Sequence, residues 1–260
     1  MLRPFTARRV NVSGHSKWST IKRKKGAADA KRGQLFSKLS RAIIAAAKEG
    51  GPDPESNATL ATAIQKARDN SMPKDNIERA IQRAVGGGDA DEFESVTYEG
   101  YAPGGVAVIC TVLTDNRNRA ASDVRHIFTK NGGSLGTPGS VAWQFDRKGL
   151  VLVDQSGIDE ERLLELALDA GAEDVSEDGS SWQITAEPTD LASVRGALEA
   201  AEITYASAEV TMLPKATVSP DESEARQILR LVDALEDNDD VQDVYANFDI
   251  SEDVLEAVAS

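Results

Sequence analysis

The sequence predicts an α+β protein: an N-terminal three-helix domain followed by two α/β domains with antiparallel sheets, one ferredoxin-like and inserted in the other. Three observations lead to that class. Apolar residues recur at three- and four-residue steps as far as Val85, and beyond the run Gly86-Gly87-Gly88 the period shortens to that of extended chain. Residues 149–213 read in the order β-α-β-β-α-β, the ferredoxin-like series. The last helix and strand have no local partners, so they pair with strands that precede residue 147. The expected divisions are 1–13 as a disordered tail or over-extended start, 14–88 as a basic helical domain, 89–147 plus 214–260 as one α/β domain, and 148–213 as the inserted one.

The helical part begins at about Ser16 and runs to Lys48, where Gly50-Gly51-Pro52 ends it. Leu35, Leu39, Ala42, Ile43 and Ala46 fall on one face. Gly26 and Gly33 weaken the earlier part, and a break or bend is expected there. A second helix spans about Ser56 to Asp69 with Leu60, Ile64 and Ala67 inward. The third starts at Pro73 with Asp75 or Asn76, turns Ile77, Ala80, Ile81 and Ala84 inward, and closes at the glycine run.

Beyond it, Val96 to Tyr101 and Val106 to Leu113 read as strands joined by Ala102-Pro103-Gly104-Gly105. Asn116 or Asn118 caps a helix carrying Ala121, Val124, Ile127 and Phe128, which stops at Asn131-Gly132-Gly133. The link Leu135 to Gly139 leads into a strand from Val141 to Phe145. The inserted unit comprises a strand Leu150 to Val153, a helix Glu160 to Ala170, strands near 173–175 and 182–185, a helix Leu191 to Ala201, and a strand Ile203 to Met212. An amphipathic helix with Ile228, Leu231, Val232 and Leu235 and a strand Val241 to Phe248 end the pattern.

Composition limits the chemistry. No stretch approaches the roughly 18 to 20 apolar residues that cross a bilayer, so no membrane partner is expected. The lone Cys110 lies in the apolar run Val106 to Cys110 and reads as a buried, inert thiol; a reducing, cytoplasmic setting fits. Two histidines and one cysteine cannot build a Cys/His zinc site, and neither His15 nor His126 accompanies a nucleophile motif. No phosphate loop occurs, because Gly86-Gly87-Gly88 follows a helix rather than a strand. Acidic pairs such as Asp239-Asp240 lie in a strongly negative region and read as a solvated face. The expectation is a non-enzyme with no cofactor and no metal.

Charge supplies the positive signal. The net charge is −14, yet residues 1–88 hold 18 Lys+Arg against 7 Asp+Glu (+11), while residues 89–260 hold 11 against 36 (−25). Such a split points to a polyanion-binding module on a solvating or protein-facing body. Lys17, Lys22, Arg23, Lys24, Lys25, Lys31, Arg32, Lys38, Arg41 and Lys48 are interrupted by one acid, Asp29. Lys17, Lys24, Lys31 and Lys38 stand seven residues apart, and each such step drifts about 20° in continuous helix, so they form one slowly turning stripe. A row of solvent-facing cations suits phosphate backbones, whose counterions it releases. His15 and Trp18 lie at the start of this region; Trp18 either stacks on a base or anchors the N-terminus to the helical core. A second feature, Thr114-Asp115-Asn116-Arg117-Asn118-Arg119, sits where a strand end meets a helix start. Asn116, Arg117 and Arg119 there are either a secondary anion site or a capping turn with ordinary surface arginines. In the third helix only Arg79, Gln82 and Arg83 are obvious base-reading side chains, so no clear helix-turn-helix is present.

Gly14-His15-Ser16-Lys17-Trp18, Ala30-Lys31-Arg32-Gly33, Phe36-Ser37-Lys38-Leu39 and Met72 to Ile81 together resemble the YebC/PmpR family of probable transcriptional regulators. Tyr98-Glu99-Gly100-Tyr101, Thr114 to Arg119 and Gly136-Thr137-Pro138-Gly139-Ser140-Val141 extend the resemblance over residues 14–250. The N-terminal extension departs from it, since family members begin within a residue or two of the Gly-His-Ser-Lys-Trp segment. The resemblance implies three domains, the first helical and the others α/β, and a cytoplasmic DNA-binding regulator of transcription. It also implies an alternative, because the mitochondrial relatives are translational activators of cytochrome oxidase and some members act on translating ribosomes at consecutive prolines. The expected partners are therefore nucleic acid, either DNA or rRNA within the ribosome, and a protein partner for the acidic α/β domains; the oligomeric state is not indicated.

Overall fold

The computed structural model describes residues 29–86, 93–156, 158–178, 181–250 and 254. Among the described residues three helices come first: α1 (Asp29–Gly50), α2 (Ala58–Asp69) and α3 (Lys74–Val85). Leu39, Ile43, Ala46 and Ala47 of α1 close on Leu60, Ile64 and Ala67 of α2 and on Met72, Ile77 and Ala80 at α3, and the small alanines let the helix axes approach. Asn57 fixes the turn into α2. Its Oδ1 accepts from the Leu60 N–H at 3.0 Å, while its Nδ2 donates to the Ala46 and Gly51 carbonyls at 2.8 Å each.

Two expectations for this unit change. The helix passes through Gly33 without a break, because the packed face that follows outweighs the modest propensity cost of one glycine. Leu35, placed on the inward face, is exposed, since the packed face begins one turn later at Leu39. The expected break at Gly26 and the hinge residues Gly87 and Gly88 lie outside the described residues.

The first sheet has the order β3-β1-β2-β8, built from β1 (Glu94–Tyr101), β2 (Ala107–Thr114), β3 (Ser134–Leu135) and β8 (Val241–Ala246). A strand from beyond the inserted unit thus joins strands that precede it in one sheet, as the missing local partners predicted. Helices α4 (Arg117–Lys130) and α7 (Glu222–Glu236) cover it, and Val108, Cys110, Val124, Phe128, Ile228, Leu231 and Val244 fill the layer between. Asn116 caps α4 by accepting from the Arg119 N–H at 3.1 Å, and Asn131 ends it.

The second sheet has the order β5-β6-β4-β7, from β4 (Phe145–Asp154), β5 (Ala172–Asp178), β6 (Ser181–Ala186) and β7 (Ser207–Pro214), antiparallel throughout. Helices α5 (Glu160–Asp169) and α6 (Leu191–Ala200) lie on one face, giving the ferredoxin-like arrangement. Here the strand expected at 141–145 is corrected. Residues 142–144 form a single 3-10 turn, and one ten-residue strand then runs through Lys148-Gly149, paired from Phe145↔Pro214 to Leu152↔Ser207. The last strand starts at Ser207 rather than Ile203, which instead packs against the core of this unit. Among the described residues no helix is long and apolar enough to cross a membrane.

Candidate nucleic-acid interface

Most of the expected contact residues precede Asp29. His15, Lys17, Trp18, Lys22, Arg23, Lys24 and Lys25 lie outside the described residues, and of Lys31 only the backbone, in α1, is described. Arg32 is exposed in the first turns of that helix. The positive charge is concentrated here, since residues 1–28 hold eight Lys and Arg and no acid.

From Gln34 onward α1 turns its polar groups toward the acidic α7–β8 turn. The Gln34 side chain donates to the Asp237 carbonyl at 2.6 Å and to Asp239 Oδ1 at 2.9 Å. Lys38 Nζ donates to the Glu236 carbonyl at 2.5 Å, and Arg41 donates to the Asp239 carbonyl at 2.7 Å and Asp240 Oδ1 at 3.2 Å. Lys66 of α2 reaches Asp243 Oδ1 at 2.5 Å. A cation against the last carbonyls of α7 also complements the negative end of that helix.

Lys38, expected to face solvent at the end of the stripe, is corrected: it is 9% exposed. Seven-residue spacing aligns side chains along a helix but does not show what that face meets. Burial lowers the Lys38 pKa, and Glu236, Asp239, Asp237 and Asp243 oppose that shift without cancelling it. The ammonium is therefore costly to bury even among acids. Sequence reasoning missed Gln34, Lys66 and Asp240 as its companions. The available signal was charge complementarity between the run Glu236 to Asp243 and the basic helix.

The second predicted feature is a capping turn whose groups are engaged internally. Asn116 Oδ1 is occupied by the α4 cap, Arg117 pairs with Glu94 at 2.9 Å, and Arg119 pairs with Asp115 at 2.6 Å and Asp240 at 2.9 Å. These pairs hold Asp115 below the usual carboxylate range, with the hydrogen bond from Arg119 as the largest cause, and raise the Arg119 pKa further. Arg41 of the stripe and Arg119 of the turn thus meet on one carboxylate, Asp240.

A third feature emerges from two motifs far apart in sequence. Buried Glu99 of β1 accepts the N–H groups of Gly139, Val141 and Ala142 at 2.6, 2.8 and 2.8 Å. Burial raises its pKa, but the three backbone donors outweigh that and hold it below the usual range. The loop Gly136 to Ser140 is fixed in this way, with Gly139 at a φ of 83° that favours glycine. In α3, Arg79 donates to the Asp75 carbonyl and Asn76 Oδ1, while Gln82 and Arg83 are exposed.

Residues 16–87 match the family model described as the TACO1/YebC protein N-terminal domain, and residues 93–248 match that of the TACO1/YebC second and third domain. A probable transcriptional regulatory protein of Rubrobacter xylanophilus is 65% identical over 249 residues, covering 95% of this chain and 100% of the relative. Like-named proteins of Acidothermus cellulolyticus and Natranaerobius thermophilus are 56% and 54% identical, covering 95% and 94% of this chain and 100% and 99% of the relatives. A crystal structure of a conserved hypothetical protein from Aquifex aeolicus is similar at a TM-score of 0.76 and 49% identity, covering 86% of this chain and 93% of that one.

Proposed function

The chain belongs to the TACO1/YebC family, and from that premise we propose that it is a non-enzymatic, nucleic-acid-binding regulator of gene expression acting through its basic N-terminal region. One observation carries the reading: eight cations and no acid precede α1, on a chain whose net charge is −14. A segment so one-sided gains free energy by releasing counterions from a phosphate backbone. Lys38 of α1 and Lys66 of α2, which meet the acidic turn, have a different task, holding the helical unit to the first sheet. The nucleic-acid contacts are accordingly assigned to His15, Lys17, Trp18, Lys22, Arg23, Lys24, Lys25, Lys31 and Arg32.

The relatives' names favour promoter DNA as the target. A specific observation favours the second reading, ribosomal RNA. The base-reading candidate Arg79 hydrogen-bonds within its own helix, so α3 offers only Gln82 and Arg83 free to enter a major groove. Recognition by shape and phosphate contacts needs no such helix. Sedimentation of tagged protein with cell lysate, with and without RNase and in rising salt, tests both. Salt-sensitive, RNase-sensitive migration with ribosomal particles supports the translation reading. Protein that stays at the top of the gradient and prefers a promoter fragment over random DNA supports the transcription reading, and protein that does neither refutes the proposal.

A further inference from the structure

The carboxylate of Asp240 has an unusual set of neighbours. Its Oδ2 accepts from Thr114 Oγ1 at 2.9 Å and Arg119 Nη2 at 2.9 Å, and its Oδ1 accepts from Arg41 Nη1 at 3.2 Å. The side chain is 13% exposed, and fully buried Thr114 forms the floor. Two guanidinium groups and a hydroxyl converging on one anion make the donor set of a phosphate site, since arginine presents its N–H groups in a fixed fork suited to phosphate oxygens. The donors come from α1, the end of β2 and α4, three elements brought together by the fold.

We propose that Arg41, Arg119 and Thr114 form a phosphate-binding cradle for nucleic acid, which Asp240 keeps filled when no nucleic acid is bound. The idea rests on the proposed function and extends it to a second contact surface on the first sheet. On exchange Arg41 and Arg119 keep an anion between them, while the Asp240 carboxylate turns toward solvent, where its repulsion of the phosphate is screened. The backbone has no need to move. The Asp240 carbonyl accepts from Leu113 N–H at 2.8 Å and its own N–H donates to Asn238 Oδ1 at 2.9 Å, so the exchange needs only rotation of one side chain. Arg119 keeps a 47% exposed side chain through which an incoming phosphate is first met. Asp115, 2.6 Å from Arg119, stays in place and holds that guanidinium toward the cradle.

The test compares Asp240→Asn with Asp239→Asn in the full chain, measuring affinity for a labelled single-stranded RNA and a DNA duplex across a salt series. Both variants remove one negative charge from the same turn, but only the first replaces the anion inside the cradle with a neutral, more weakly held amide. Asp240→Asn is expected to bind roughly tenfold tighter than Asp239→Asn, as one further charge-assisted contact would give. Its salt dependence should steepen by about one phosphate contact. Adding Arg119→Gln to Asp240→Asn should remove the gain, with circular dichroism checking that each variant is folded. Equal affinities for the two single variants, or a gain that survives Arg119→Gln, overturn the cradle. Loss of all binding by the wild-type chain at low salt sinks the proposed function itself, and the cradle with it.

Discussion

Lys38 is the residue whose replacement gives the most informative outcome. Methionine at this position keeps the aliphatic stem and removes the ammonium. Loss of the 2.5 Å bond to the Glu236 carbonyl costs about 1.5–3 kcal/mol, as for other charge-assisted hydrogen bonds. Against this, the ammonium no longer has to be desolvated, a penalty of several kcal/mol for a buried ion before its partners offset it. The lowered Lys38 pKa says that the four nearby carboxylates do not offset it fully. The two contributions then nearly cancel, and Lys38→Met should lie within about 1 kcal/mol of the wild type. Lys38→Glu instead buries an unpaired anion among acids and should cost about 3–5 kcal/mol. Scanning calorimetry resolves the difference, since 1 kcal/mol moves Tm by about 2–4 °C in a chain of this size. The pH dependence has a definite sign. A lysine whose folded pKa is lowered destabilises the fold while charged, and that penalty fades as pH rises toward its unfolded value near 10.4. Stability of the wild type relative to Lys38→Met should therefore increase as pH approaches about 10. A Lys38→Met loss as large as that of Lys38→Glu would refute this reasoning.

Glu99→Gln should loosen the loop Gly136 to Ala142 and cost about 1–3 kcal/mol, because a neutral amide replaces the carboxylate that accepts three backbone N–H groups. The Glu99 carboxyl is held below its ordinary range, so its contribution is complete above about pH 4.3 and is lost as pH falls through the folded value. Stability curves of wild type and Glu99→Gln should converge in acid, and parallel curves would count against the assignment. Gly100→Ala should cost about 1–3 kcal/mol or more, since the added Cβ falls 2.6 Å from the Ser134 carbonyl and 2.7 Å from the Phe128 ring. Gly33→Ala meets open space in a helix and should gain about 0.5–1 kcal/mol; the two denaturation midpoints should move in opposite directions.

What the sequence revealed were features with local causes. The change of apolar period after Val85, the Asn116 cap and the β-α-β-β-α-β order each depend on neighbours within a few residues or on simple alternation. The return of β8 to the first sheet was legible because an apolar strand without a nearby partner must pair somewhere. The Phe145–Asp154 strand was misread as two, ending at Phe145 and restarting at Leu150, because Asp146 to Gly149 interrupts the apolar run, and only the Arg147↔Met212 and Gly149↔Val210 pairing shows that it is continuous. Lys38 was misread for a similar reason. Its partner, Glu236, lies 198 residues away, and a charge stripe shows which face is basic but not what covers it. Glu99 gave a fainter signal, because the backbone N–H groups it accepts lie in the loop Gly139 to Ala142, forty or more residues further along the chain. Arg119 and Arg41 read as separate anion sites, and neither pattern predicts that one carboxylate joins them.

The central claim is that the basic region through Arg32 binds nucleic acid while Lys38 and Lys66 hold the helical unit in place. Binding of a labelled RNA and a DNA fragment by Lys24→Glu/Lys31→Glu and by Lys38→Met, each against wild type between about 50 and 200 mM salt, tests it directly. The account predicts that the double charge reversal weakens binding at least a hundredfold and flattens the salt dependence by about two phosphate contacts, while Lys38→Met binds as wild type does. Undiminished affinity in a folded Lys24→Glu/Lys31→Glu variant, or a loss in Lys38→Met as severe as in the double variant, would contradict it.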